Sequence, residues 1–116
     1  VTGRTRPEQD LQRSVIDHLQ WRGVLKLFWC HYPAGGHRSP IEAKIFRSLG
    51  VVPGVPDLLL VRSSEPFALE LKSEHGRLTP IQIETQDRMR VAGVTVATVA
   101  GIDAALKQLS EWELLR

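Results

Sequence analysis

The sequence has a single cysteine, Cys30, among 116 residues. No disulfide can form within the chain, and no thiolate zinc site can be built from it. That scarcity fits a reducing cytosol, and no signal peptide is legible. Cys30 itself reads as a small buried hydrophobe. No apolar run approaches the roughly 20 residues of a membrane-spanning helix, so no membrane partner is expected. The four histidines, His18, His31, His37 and His75, lack the short spacing of a histidine metal centre. Repeats, low-complexity tracts and linkers are missing too, so residues 1–116 read as one globular domain. Net charge is only +2. Its distribution is uneven: residues 1–56 carry eight basic against four acidic side chains, and residues 57–116 carry seven against nine. That asymmetry permits a polyanionic partner without demanding one.

Hydrophobic periodicity and punctuation give the order of elements. Pro7 followed by Glu8-Gln9-Asp10 opens a helix, with Thr5 as the better capping type. Leu11, Val15, Ile16 and Leu19 then recur at helical spacing, and Gly23 ends the run. Residues 25–32 read as a strand, 33–40 as a loop and 41–49 as a short helix stopped by Gly50. Two apolar runs follow, Leu58-Leu59-Leu60-Val61 and Phe67-Ala68-Leu69, separated by a turn centred near Ser64. Thr79 caps a helix that Pro80 begins and Gly93 closes. Residues 94–99 are strongly β-prone, and a last helix carries Ala104, Ala105, Leu106, Leu109 and Trp112. The order αβαββαβα predicts an α/β domain with a small mixed sheet of about four strands flanked by helices. The helix after Lys72 can act as a crossover, which makes the last strand parallel to its predecessor.

The chemistry sits on the two central strands. Asp57 stands at the head of one, and Glu70-Leu71-Lys72 ends the other. Charge inside strands that read as buried is expensive unless paired or bound to a metal. Side chains alternate along a strand, so Glu70 and Lys72 share a face and Leu71 takes the other. If the hairpin pairs Asp57 with Glu70, all three polar groups share one face, and the Leu71 backbone carbonyl adds an oxygen. Two carboxylates suit a hard cation such as Mg²⁺ or Mn²⁺, and an ammonium beside them suits a phosphodiester. The plain alternative is a cross-strand salt bridge on a solvated face.

At these residues the chain resembles the PD-(D/E)XK nuclease superfamily, and within it the VRR-NUC (virus-type replication-repair nuclease) domain. The resemblance rests on Pro56-Asp57, on Glu70-Leu71-Lys72, and on Glu8 as an added acid of the opening helix. It extends to the glycine-rich approach to Asp57, to Gly76-Arg77-Leu78-Thr79-Pro80-Ile81-Gln82, and to His31-Tyr32-Pro33-Ala34-Gly35-Gly36. The last of these has Ala34 where an asparagine is common. The resemblance covers nearly the whole chain. It implies a PD-(D/E)XK nuclease-like fold and a metal-dependent DNA endonuclease of replication or repair, in a bacterial or phage-infected cell and held at the nucleoid through its DNA. Small stand-alone members look like homodimeric resolvases of four-way (Holliday) junctions, and larger relatives act on flaps. The alternatives are a flap-type or general DNA nuclease, or a catalytically idle nucleic-acid-binding module on the same scaffold.

The expected site is therefore Glu8, Asp57, Glu70, Lys72 and Gln82. Asp57, Glu70 and the Leu71 carbonyl would take the metal, with Glu8 joining directly or through water. Glu8 lies on the Leu11–Val15–Leu19 stripe, whereas the competing Asp10 falls off it. Gln82, one turn into its helix, is expected to reach the site or a phosphate, and Gln86 on the same face is a weaker candidate. His31, His37 and Arg38 bracket a glycine loop able to approach a phosphate. His37, Arg38, Lys44, Arg47 and Arg77 are the expected DNA contacts, with Arg4 and Arg6 as further generic candidates. Trp21, Trp29 and Trp112 read as core or interface. The end of the last helix, with Trp112, Leu114 and Leu115, is a candidate dimer surface.

Overall fold

A computed structural model of the chain describes residues 6–33 and 39–116. The eight expected elements are present in the expected order: α1 (Arg6–Arg22), β1 (Phe28–His31), α2 (Pro40–Ser48), β2 (Leu58–Arg62), β3 (Glu65–Lys72), α3 (Pro80–Val91), β4 (Thr95–Ala100) and α4 (Ile102–Glu111). The four strands form one sheet in the order β1-β2-β3-β4. β1–β2 and β2–β3 are antiparallel, and β3–β4 is parallel, as the α3 crossover requires.

Boundaries shift for local reasons. β1 is shorter than the expected 25–32 because Lys26 takes φ 65 and the Leu27 N–H turns back onto the Val24 carbonyl. α2 starts at Pro40, since Ser39 accepts the Glu42 N–H while Glu42 reaches back to the Ser39 N–H, a reciprocal capping box. Thr79 and Gln82 close the same kind of box on α3. The β2–β3 turn is Ser63-Ser64, both left-handed (φ 50 and 66). This is the two-residue geometry that matches the twist of an antiparallel pair.

The register sorts the two sheet faces. Leu58, Leu60, Phe67, Leu69 and Leu71 point to one face and pack with Leu11, Val15 and Leu19 of α1 and Ala105 and Leu109 of α4. This is the hydrophobic core. Glu70 and Lys72 alternate to the other face, where α3 lies against β4. The chain after α4 turns back at Glu113 (φ 61), and Leu115 bridges to Gly23.

Three expectations on apolar residues need correction. Leu114 is fully buried, and Trp112 and Leu115 pack on the core, with the Trp112 ring 5.0 Å from that of Phe67. Leu114 is therefore taken up by this chain's own core, and Trp112 and Leu115 keep only part of their surface for a partner. Trp21 is 80% exposed in the single chain, which removes the core half of its core-or-interface reading and leaves the interface half, whereas Trp29 packs on the core. Cys30 is half-buried, because it sits on the sheet face opposite the core.

Candidate active site

β2 and β3 set the site through their register. Leu58 pairs with Leu69, so Asp57, one residue before β2, falls opposite Glu70. The Asp57 carboxylate accepts the backbone N–H of Leu71 at 2.8 Å. A bond from an amide to a buried charged group contributes about 1.5–3 kcal/mol, and it fixes the carboxylate beside the Glu70–Lys72 strand end. Asp57, Glu70 and Lys72 are 7%, 2% and 8% exposed. The expected face is thus formed, and it is buried.

Lys72 and Glu70 sit two residues apart on one face, Nζ to Oε2 at 3.3 Å. Gln82 joins them. Its Oε1 accepts from Lys72 Nζ at 3.1 Å, and its Nε2 donates to Glu70 Oε2 at 3.4 Å. The same Oε1 accepts the Thr79 N–H at 2.9 Å as part of the helix cap. One amide therefore couples the first turn of α3 to the charged cluster. The surroundings are pinned by α3 as well. Gly54 has φ +83, and a Cβ there would meet the Ile81 carbonyl oxygen at 2.7 Å, so only glycine lets this approach to Asp57 lie on the helix. Thr85 donates to the Pro53 carbonyl at 2.8 Å.

Glu8 is half-buried at the start of α1, and its Oε2 accepts the Ser73 N–H at 3.4 Å. A Cβ on Gly76 would fall 3.0 Å from that oxygen and 3.2 Å from the Lys72 side chain. Glu8 and Lys72 thus approach one another across Gly76. Asp10 pairs with Arg13 on the surface, as its place off the stripe predicts. Gln86 is buried and faces β4, donating to the Thr98 hydroxyl at 3.0 Å. Its amide is committed to holding α3 on the sheet. Lys44, Arg47 and Arg77 are exposed. His37, Arg38, Arg4, Thr5 and the Ala34-Gly35-Gly36 loop lie outside the described residues.

His31 belongs to the site in a way its sequence context did not announce. Its Nδ1 lies 2.9 Å from the Asp57 carbonyl oxygen, which also accepts the Tyr32 N–H at 2.8 Å. The Tyr32 hydroxyl both donates to the Val52 carbonyl and accepts the Val52 N–H. These contacts depend on β1 lying beside β2, a pairing that no local pattern encodes.

The donor set fits a hard divalent cation: two buried carboxylates on one face, with net charge −1 once Lys72 is included. Among the described residues no group of three or more histidine, cysteine or acidic side chains is gathered to hold a metal. A cation here would rest on the two carboxylates, with backbone, solvent or substrate oxygens for the remainder.

Comparison with solved structures places this architecture. A structure described as a VRR_NUC domain protein aligns with a TM-score of 0.73 and 22% identity, over 96% of this chain and 92% of that one. Another, a VRR_NUC domain, aligns with a TM-score of 0.58 and 21% identity, over 92% and 97%. No family model matches the sequence, and no curated protein matches it significantly. The fold is that of the VRR_NUC structures: a four-stranded mixed sheet with four helices.

Proposed function

We propose that this protein is a divalent-cation-dependent endonuclease that hydrolyses phosphodiester bonds in DNA, acting as a homodimer on four-way junctions. The observation that carries the reading is the burial of Asp57, Glu70 and Lys72 together at one strand end, with Gln82 bonded to two of them. A charged cluster of net −1 kept away from water is costly as a structural device and useful as a reaction centre. The fold likeness to VRR_NUC structures supports the same reading.

Asp57 and Glu70 would hold Mg²⁺ or Mn²⁺, with the Leu71 carbonyl as a further oxygen and Glu8 acting through water. The chemistry such an ion supplies is polarisation of the scissile phosphate and hydroxide at neutral pH. Lys72 would place its ammonium against a phosphate oxygen or the attacking water. Gln82 and Glu70 keep that ammonium from swinging into solvent, so little reorganisation is needed when charge develops. Lys44, Arg47 and Arg77 would contact backbone phosphates, with His37 and Arg38 in the same role.

Two features support a dimer. Symmetric resolution of a junction needs two cuts, and a two-fold pair of single-centre chains supplies them. α2 carries Ile41 and Ile45 one turn apart, with its C-cap residue Leu49 one turn further on, all exposed, and the helix has no buried residue. A nine-residue helix is short for autonomous stability in water, so a second copy covering this stripe would complete it. A cleavage panel of duplex, single-stranded, flap and four-way DNA in Mg²⁺ and Mn²⁺, with light scattering of the free protein, tests the proposal. A dimer preferring four-way junctions is expected. A monomer cutting flaps and sparing junctions would leave only the broader nuclease reading.

A further inference from the structure

We propose that His31 is a positioning residue for Asp57, holding the aspartate backbone so that its carboxylate stays registered against the Glu70–Lys72 strand end. The proposal rests on the reading of Asp57 as a cation ligand for its functional consequence, and on geometry alone for the tether itself.

Asp57 lies just outside β2, which begins at Leu58. The ladder between β2 and β3 is recorded from Leu58↔Leu69 onward, so the residue with the most demanding side-chain placement sits where strand pairing stops. The segment leading to it is anchored from several sides: Tyr32 on Val52, Thr85 on Pro53, and the α3 backbone against Gly54. At Asp57 itself the anchor is double. The carbonyl oxygen receives the Tyr32 N–H at 2.8 Å and faces His31 Nδ1 at 2.9 Å.

A carbonyl only accepts, so this contact requires the proton on Nδ1. The imidazole is thereby set in one orientation, with Nδ1–H toward Asp57. The main-chain tether and the side-chain bond act on opposite ends of the same residue. His31 holds the carbonyl, and Leu71 N–H holds Oδ2 at 2.8 Å. Rotation of the Asp57 peptide would swing the carboxylate away from Leu71. Loss of the imidazole donor therefore loosens the carboxylate without removing any proposed ligand.

The test compares His31→Leu, which keeps bulk but no donor, with His31→Asn, whose amide N–H₂ stands near the Nδ1 position. One readout is amide hydrogen exchange at Leu71 in the metal-free protein, with Leu69 as internal reference. The other is Mn²⁺ binding by calorimetry. His31→Leu should exchange Leu71 at least about tenfold faster relative to Leu69 and weaken Mn²⁺ about tenfold, the lower range for outer-shell partners. His31→Asn should restore most of both. Unchanged Leu71 exchange in His31→Leu, or an asparagine variant no better than leucine, would overturn the tether. Failure of the wild-type protein to bind Mn²⁺ would instead remove the cation reading of Asp57, while the exchange ratio still decides the role of His31.

Discussion

The side-chain oxygen of Gln82 accepts a hydrogen bond from Lys72 Nζ at 3.1 Å, across the gap between α3 and β3. That oxygen also closes the α3 capping box, so the helix start and the ammonium share one acceptor. Gln82→Ala should lower cleavage about tenfold, by freeing Lys72, and should cost about 1 kcal/mol through loss of the cap. Lys72→Met should reduce turnover far more than Mn²⁺ affinity, because the ammonium is not a ligand. Lys72→Arg should stay impaired, since a planar fork cannot occupy the seat of a compact ammonium between Gln82 and Glu70. Single-turnover cleavage at saturating Mn²⁺, beside calorimetry, separates the two effects. A Lys72 variant with normal chemistry and collapsed metal affinity would contradict the role given to it.

Asp57 has a structural duty besides its proposed one, because Leu71 N–H depends on its carboxylate. Asp57→Ala should therefore destabilise the fold by about 1–3 kcal/mol, the cost of an unpaired buried donor. Asp57→Asn retains an acceptor of the same shape and should melt close to wild type, yet lose Mn²⁺ binding. Thermal melts of the pair with calorimetry check this. Equal melting temperatures for the alanine and asparagine variants would show that the 2.8 Å bond contributes little.

The α2 stripe gives the assembly prediction. Ile45→Glu places a charge at the centre of the Ile41–Ile45–Leu49 row, on a helix face exposed in the free chain. It should leave the melting of the isolated chain nearly unchanged and convert a dimer to a monomer in light scattering. Arg47 lies about 200° round the helix from Ile45, at 100° per residue, so the phosphate contact proposed for it should survive. A dimer that persists in Ile45→Glu would move the interface elsewhere while leaving a dimeric state intact.

Much of this was legible from the chain because alternation carries so much information in a hairpin. Glu70 and Lys72 interrupt an apolar strand at every second residue, which places them on one face, and the short Ser63-Ser64 turn fixes the register that brings Asp57 opposite. Thr79 was equally readable as the cap of α3, whereas the reciprocal bond from Gln82 emerged only from the structure. What escaped depended on contacts distant in sequence. His31 meets Asp57 only because β1 flanks β2. Trp112, Leu114 and Leu115 read as a candidate dimer surface, but the Trp112 ring lies 5.0 Å from that of Phe67, and the left-handed turn at Glu113 buries Leu114 and brings Leu115 beside Gly23. α3 also resists a pattern reading, for it exposes Ile81 and Ile83 while burying Thr85 against the Pro53 carbonyl and Gln86 against Thr98 of β4.

The most direct measurement of the central claim is cleavage of an end-labelled four-way junction in Mn²⁺ by the wild-type protein, Asp57→Asn and Glu70→Gln, each repeated with EDTA. The wild-type protein should cut, EDTA should abolish cutting, and each variant should fall by about a thousandfold or more, several kcal/mol of transition-state stabilisation. Both variants should still bind the junction, with affinity that declines steeply as salt rises. Cleavage that survives EDTA, or near-wild-type turnover by either variant, would contradict the assignment of Asp57 and Glu70 as the centre of a cation-dependent nuclease.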